Sequence, residues 1–315
     1  MSKRKNIYKT DSVFSLPLPL VKTFEEVQSI QKLYPYPDYD PYFIESGVIK
    51  EKREKFNKLW PKYKPYADSN FQTEIQKRFH QKTWEMYMGN ILLENNMKIF
   101  SEDKGPDFIV KNDNDEDLLY IECVCTTKGK PENPNSVIDP IELNNSSGYL
   151  HDVPTDKMIL RIAKAFDDKV KQYNSWIKGR LVNKDTPFII AINTSVSSWI
   201  EGFPPNVIKA IFGISHPQIN MRTGEMTFLI RDEIQKNNGS PVPVNMFKIK
   251  DFSFISGVIF SNTDILDNSN KLGVDCYIVN NPFAKHTIPE LLTKCFKTYE
   301  SYISKDGYVK IKKRF

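Results

Sequence analysis

The sequence predicts an α/β protein built on a mixed central β-sheet flanked by helices. Three observations carry that expectation: a long Pro-free amphipathic stretch after residue 69, three short strand patterns directly behind it, and a second amphipathic stretch followed by the apolar run Pro187 to Asn193. Helix, three strands, helix and strand, in that order, place helices against a sheet whose strands do not all run one way. The chain has 315 residues, 40% hydrophobic and 12% aromatic. That is ample to bury a core and too apolar for a disordered chain.

Residues 1–66 have a different texture. Pro17, Pro19, Pro35, Pro37, Pro41, Pro61 and Pro65 punctuate them, with Tyr and Phe between, so only short helices fit, over Phe24 to Leu33 and Lys50 to Leu59. This stretch reads as an N-terminal arm on a single α/β domain covering 67–315, with a core at about 69–193 and an α/β extension at about 194–315. Ser69 caps a predicted helix to Asn96, in which Phe71, Ile75, Phe79, Met86 and Leu92 share one stripe. Strands follow near Met97 to Phe100, Gly105 to Lys111 and Leu118 to Thr126, and Lys128 to Val153 reads as a polar loop. Thr155 caps a second helix to Trp176, stopped at Gly179. Pro187 to Asn193, Met226 to Arg231, Phe254 to Ser261 and Cys276 to Asn280 are the remaining strands, and a last helix is expected from Pro289 to Ser304.

The formal charge is +5, from 44 Lys and Arg against 39 Asp and Glu, and it is unevenly spread. Residues 1–66 hold 13 basic and 8 acidic side chains, and Lys305 to Phe315 hold five basic and one acidic, which leaves a slightly acidic body between basic ends. No apolar run approaches the roughly 18 residues of a membrane span. Met1 to Thr10 carries no signal-peptide core, and the four cysteines, Cys123, Cys125, Cys276 and Cys295, are too few for a disulfide framework. The expectation is a cytoplasmic protein without a membrane partner.

The sharpest local feature is Gly105-Pro106-Asp107-Phe108-Ile109-Val110, a polar turn, and then Tyr120-Ile121-Glu122-Cys123-Val124. A turn centred between Asn114 and Asp115 sets Asp107 opposite Glu122 across the hairpin. Opposed residues have Cβ atoms about 5 Å apart, and like charges there repel unless a cation neutralises them. Mg²⁺, held by one or two carboxylates plus substrate phosphate, suits such a pair. A one-residue slip would separate them, and one of the two could simply be exposed on an edge hairpin. Glu85 lies about 40° around its helix from Phe71 and about 20° from Leu92, so it either snorkels at the stripe's margin or points at the same site. On the second helix Lys169 falls about 20° from Met158, inside the apolar face, with Gln172 and Arg161 beside it. A lysine there needs a partner unless it snorkels at the helix edge.

The helix with Glu85, then Pro106-Asp107, then Glu122 on a strand, then helix and buried strand, resembles the core of the PD-(D/E)XK, or restriction-endonuclease-like, nuclease superfamily. The resemblance spans about residues 69–193 and is similar in texture to a bacterial branch of it. It implies a metal-dependent nuclease in which Asp107 and Glu122 bind Mg²⁺ or Mn²⁺, Glu85 assists, and a lysine two residues after the Glu activates or orients water. That slot holds Val124. Lys169 is the candidate for the displaced lysine, ahead of Lys157, Lys164, Lys128 and Lys130, with Arg161 and Gln172 in support. Nucleic acid, DNA before RNA, is the implied substrate, and a homodimer stays open. A nuclease fold that has lost catalysis, and binds nucleic acid or a protein, is the alternative.

Lys52, Arg53, Lys55, Lys58, Lys62 and Lys64 alternate with Phe56, Trp60, Tyr63 and Tyr66. Such a segment could neutralise phosphates and stack on bases, or form an amphipathic helix whose aromatics dock on the body. The four histidines lie far apart without zinc-ligand spacing, and neither a Gly-rich phosphate loop nor a Gly-x-Ser-x-Gly elbow is present.

Overall fold

The structure is a computed structural model that describes residues 11–102, 104–138, 152–199, 202–219, 221–224, 226–267, 271–303 and 309–314. The middle of the loop expected from Lys128 to Val153, and Lys305 of the basic C-terminal stretch, lie outside the described residues. The protein is α/β, with a mixed sheet flanked by helices. The described residues form two compact units. One runs up to Cys123 and includes the segment Asp264–Val274; the other holds Val124–Thr263 and Asp275 onward.

In the first unit the N-terminal arm is helical. Helix α1 (Phe24–Leu33) opens on a capping box, Thr23 accepting from the Glu26 backbone while the Glu26 carboxylate accepts from Thr23. Helix α2 (Pro41–Val48), absent from the sequence expectation, starts with Pro41 at its first turn, where a missing N–H costs nothing, and Asp40 accepts from the Tyr42 N–H at 2.9 Å. Helix α3 (Lys50–Tyr63) runs through Pro61. Phe14, Phe43, Phe56, Trp60 and Tyr63 bury their rings against one another and against Phe71, Phe79 and Phe108, so the arm is part of this unit's core.

The expected helix from Ser69 is two helices. Short α4 (Phe71–Glu74) is followed by a break, and α5 (Phe79–Glu94) begins after Arg78, without the Ser69 cap. Thr83 to Leu92 is buried all round, because the arm covers the side of α5 that an amphipathic reading assigns to solvent. Gly89 permits this: a Cβ there would lie 2.6 Å from two carbons of the Tyr63 ring. Strands β1 (Lys98–Phe100), β2 (Phe108–Lys111) and β3 (Asp117–Cys125) pair antiparallel in that order. The register Phe108↔Ile121, Ile109↔Tyr120 and Val110↔Leu119 is the expected one, and it slips only at Lys111 beside the turn. The segment Asp264–Val274 is fastened to the arm and to α5: Lys55 Nζ donates to the Leu266 carbonyl at 2.9 Å and the Gly273 N–H to the Tyr87 hydroxyl at 3.1 Å.

In the second unit helix α6 (Thr155–Lys178) carries Tyr173 onto Phe188 and Phe254, with ring centroids 4.6 and 4.2 Å apart. Thr155 is the first helical residue rather than the cap, a place taken by Pro154. Strand β4 (Phe188–Asn193) is fully buried. Helix α7 (Asn206–Phe212) ends at Gly213, whose φ of +65° and a would-be Cβ 2.1 Å from the Arg231 carbonyl require glycine. Hairpins β5 (Ile214–Ile219) with β6 (Met226–Ile230), and β7 (Glu233–Gln235) with β8 (Pro241–Pro243), follow. Strand β9 (Ile255–Ser261) pairs parallel with β4 and antiparallel with β10 (Tyr277–Asn280).

The end of the chain departs from expectation. Helix α8 (Glu290–Thr293) is one turn long, and Lys297–Ile303 is strand β11, parallel to β10, where a helix to Ser304 was expected. The β-branched and aromatic residues Thr298, Tyr299, Tyr302 and Ile303 suit a strand, and Tyr299 joins the rings of Phe260 and Tyr277. The basic stretch Val309–Arg314 is strand β12, antiparallel to β11. Among the described residues no helix is long and apolar enough to cross a membrane.

Candidate active site

Asp107 stands just before β2, directly beyond the Phe108↔Ile121 pair, and Glu122 is the next residue of β3. The hairpin brings them together, and each carboxylate grips the other's strand. Glu122 Oε2 accepts from the Asp107 N–H at 3.0 Å, and Asp107 Oδ2 accepts from the Cys123 N–H at 2.7 Å. Gln81, on α5, donates to the Cys123 carbonyl at 3.1 Å, so the backbone beside Glu122 is held at both its N–H and its C=O. Glu122 is 2% exposed and Asp107 half-buried. Charge-assisted bonds to backbone amides fix the carboxylates' orientation.

Glu85 joins this cluster from α5 and is 2% exposed, so it points at the site and does not snorkel. Both its oxygens are engaged: Oε1 accepts from the Tyr63 hydroxyl at 2.6 Å and Oε2 from Lys82 Nζ at 2.8 Å. Lys82, 5% exposed, also lies 3.2 Å from Asp68 Oδ2 and 3.3 Å from Glu74 Oε2, with the Phe71 ring centroid 5.5 Å from Nζ. A buried ammonium is costly unless paired, and three carboxylates meet that need.

Lys82 meets more carboxylates than it can neutralise, and the acidities of the buried groups shift accordingly. Burial, and then the charge of Asp107, push the Glu85 carboxyl up to about 7 in spite of Lys82. Burial alone would pull the Lys82 ammonium down, but Glu85, Asp68 and Asp107 outweigh it and hold the proton on. Burial, and then Glu85, raise the Tyr63 hydroxyl far above its ordinary value. The neighbouring carboxylates favour the protonated form of all three groups, with burial adding to that effect on Glu85 and Tyr63 and opposing it on Lys82.

Lys82, Tyr63, Asp68, Glu74 and Gln81 were not among the candidates read from the sequence. The available signal was the Lys82, Glu85 spacing of three residues on one helix, which makes side chains neighbours. The three bonds from Asp68, Glu74 and Tyr63 depend on tertiary packing.

The remaining candidates have the following hydrogen-bond partners and exposures. Lys169, half-buried on α6 of the second unit, donates to Gln172 Oε1 at 3.2 Å. Arg161, on the same helix, donates through Nε and Nη2 to the carbonyl and hydroxyl of Thr127 at 2.7 and 2.8 Å. Val124, in the lysine slot of the motif, is buried. In the arm, Lys52 pairs with Glu45, Arg53 donates to the carbonyls of Gly47 and Leu18, Lys55 to that of Leu266, Lys62 faces Glu94 at 3.9 Å and Lys64 faces Asp11 at 3.3 Å. Phe56, Trp60 and Tyr63 are buried, which is the docking alternative for this segment. Lys58 is exposed.

Among the described residues no group of three or more His, Cys, Asp or Glu side chains is arranged to hold a metal ion. Asp107 and Glu122 offer two carboxylates, each fixed by one backbone bond. That fits Mg²⁺ or Mn²⁺ bound through two carboxylates, waters and a substrate phosphate, and it does not fit an all-protein cage. Glu85 has its two oxygens on Tyr63 and Lys82. The chain matches no protein-family model, no curated protein and no solved structure, so the reading of this site stands on its own residues.

Proposed function

We propose that the protein is a metal-dependent nuclease with a restriction-endonuclease-like core, hydrolysing phosphodiester bonds of nucleic acid, with DNA favoured over RNA. The observation that carries this reading is the reciprocal lashing of Asp107 and Glu122, beside a Glu85 carboxyl that burial, and then the charge of Asp107, lift to about 7. A protein that fixes like charges side by side prepares a place for a cation.

Asp107 and Glu122 would hold Mg²⁺ or Mn²⁺, which, when bound, polarises a phosphoryl oxygen and lowers the pKa of its water. Gln81 keeps the β3 backbone in place beneath Glu122. Glu85, restrained by Tyr63 and Lys82, supplies a carboxyl able to take or release a proton near neutrality.

Purified protein should convert supercoiled plasmid to nicked or linear forms with Mg²⁺ or Mn²⁺ and not with EDTA. Asp107→Ala and Glu122→Ala should each abolish conversion while circular dichroism stays native. Cleavage that persists in both variants removes the proposal. The second reading, a fold that binds nucleic acid or a protein without turnover, is favoured by Val124 in the lysine slot. Its signature is DNA retention in a gel-shift assay with no cleavage in either metal.

A further inference from the structure

We propose that Arg161 and the loop that follows β3 form a phosphate-binding site, in which the guanidinium holds a phosphate group and the lysines flanking Gly129 add positive charge. The inference rests on the nucleic-acid part of the reading above and not on its metal. It deepens that part by naming residues that hold a backbone phosphate.

The run Thr127-Lys128-Gly129-Lys130 leaves β3, and the loop closes on itself at Ser136 and Val137. The Val137 N–H donates to the Lys128 carbonyl at 2.8 Å, and the Lys130 carbonyl accepts from the Ser136 hydroxyl at 2.7 Å and the Asn133 N–H at 3.0 Å. The backbone that carries both lysines is thus fixed before a ligand arrives, which lowers the ordering cost of binding. Gly129, at a φ of +96°, adopts a conformation that L side chains rarely reach, and a Cβ there would strike Ser136 Oγ and lie 3.2 Å from Arg161 Nη1. Glycine is what lets the loop close against the guanidinium.

A guanidinium offers its five N–H donors in a planar fork, with one edge formed by Nε and an Nη and another by the two Nη nitrogens. Arg161 uses the first edge on a neutral residue: Nε donates to the Thr127 carbonyl at 2.7 Å and Nη2 to the Thr127 hydroxyl at 2.8 Å. These two bonds set the plane of the fork and leave Nη1, among the described residues, without an acceptor. The edge that remains is the kind that binds a phosphate through two parallel N–H bonds.

Arg161 is half-buried, and burial pulls its guanidinium below the ordinary value, with the charge of Asp168 acting the other way. Asp168 is itself ion-paired with Lys164, one helical turn before it. In the loop Lys130 is exposed and Lys128 half-buried, and the one carboxylate between Thr127 and Val137, Glu132, is exposed. A fixed guanidinium whose bonds go to neutral oxygens, with two lysines in the loop packed on it, favours an anion. A phosphate supplies the acceptor oxygens that the open edge needs.

The test is binding of a fluorescein-labelled DNA oligonucleotide to the full chain in EDTA, read by anisotropy over a range of salt concentrations. Arg161→Met should weaken binding about tenfold or more, the loss of a charge-assisted bond, and lower the salt slope by about one. Arg161→Lys keeps the charge without the fork, so it should recover the slope and not the affinity. Lys130→Gln should lower the slope by about one at an unchanged melting temperature. In a second arm, inorganic phosphate is added during thermal unfolding. A melting temperature raised in wild type and not in Arg161→Met shows that the site also takes the free ion, and a response confined to the oligonucleotide assigns it to the nucleic-acid backbone. Wild-type affinity and slope in Arg161→Met and Lys130→Gln, with no effect of phosphate on wild type, would overturn the proposal and leave the nucleic-acid reading standing. Should Arg161→Met fail to fold, Arg161→Lys and Lys130→Gln decide, and wild-type binding in both overturns it. A wild type that neither binds nor cleaves DNA sinks the nucleic-acid reading; protection by phosphate that Arg161→Lys weakens then sustains the site, and its absence overturns it.

Discussion

The Tyr63 hydroxyl donates to Glu85 at 2.6 Å, and both side chains are buried, so the N-terminal arm supplies part of the wall of the carboxylate site. Tyr63→Phe removes only the donor. It should cost about 1–3 kcal/mol in urea denaturation, the range for a buried hydrogen bond to a charged group. An unchanged midpoint would mean that the bond contributes nothing to stability.

Gly89 tests the same docking sterically. Ala is ordinarily favoured over Gly in a helix by about 1 kcal/mol. Here its Cβ would meet the Tyr63 ring at 2.6 Å and Phe108 at 3.2 Å, and overpacking of this kind costs about 1–3 kcal/mol. Gly89→Ala should therefore destabilise, and Tyr63→Ala in the same chain should absorb part of the loss, since the two positions share one contact. Additive effects in a double-mutant cycle would place the Tyr63 ring away from α5.

Asp107 and Glu122 each serve as acceptors for a backbone N–H, so alanine variants lose a hydrogen bond as well as a charge. Asp107→Ala leaves the Cys123 N–H without that acceptor, at about 1–3 kcal/mol. Asp107→Asn and Glu122→Gln keep an acceptor oxygen. They should retain wild-type melting temperatures while losing Mn²⁺ binding, as read by calorimetry. Retained Mn²⁺ affinity would move the metal site away from the pair.

Glu85 gives the site a pH signature in metal-free buffer. Its carboxyl is raised from 4.5 to about 7, so across that window the folded chain keeps a proton the unfolded chain has released. The contribution to stability is therefore complete below pH 4.5 and is lost as the pH rises to about 7. At about 1.4 kcal/mol per unit it amounts to roughly 3 kcal/mol. Subtracting the Glu85→Gln curve from the wild-type curve should show that decline. Parallel curves between pH 4.5 and 7 would mean that Glu85 titrates elsewhere.

Arg53 separates the two uses of the basic arm. Its guanidinium donates to the carbonyls of Gly47 and Leu18, so Arg53→Met should lower stability by about 1–3 kcal/mol without changing the salt dependence of DNA binding. Lys58, exposed on α3, should behave in the opposite way if that helix faces phosphates: no loss of stability, and a shallower dependence of binding on salt by about one unit of slope.

The legible part of the site was the part set by local geometry. Antiparallel register follows from the turn centre, and it placed Asp107 against Glu122 before any packing was known. Helical phase left Glu85 either at the margin of the stripe or at the same site, and its burial decides between them. Lys82 sits about 60° from Glu85 on that helix, and only its contacts with Asp68 and Glu74, from a segment folded back by the break at Ile75 to Arg78, reveal what it does. The break was hidden because the apolar stripe runs through it without Pro or Gly. Strand β11 lies where the last helix was expected, and its parallel pairing with Tyr277 to Val279 is a tertiary contact. The arm was read as an appendage because Pro marks its turns, yet its aromatics fill the core.

The segment Asp264–Val274 returns to the first unit from a stretch of chain more than a hundred residues downstream of Cys123. A recombinant fragment ending at Cys123 would therefore be a split protein. It would lack the Leu266 carbonyl that receives Lys55, the Gly273 amide that reaches Tyr87, and the Asp264 carboxylate 3.5 Å from His80. A synthetic peptide of residues 264–274 added in trans should complement such a fragment and raise its melting temperature. The choice of truncation boundary thus governs whether the carboxylate site can be isolated as a minimal unit.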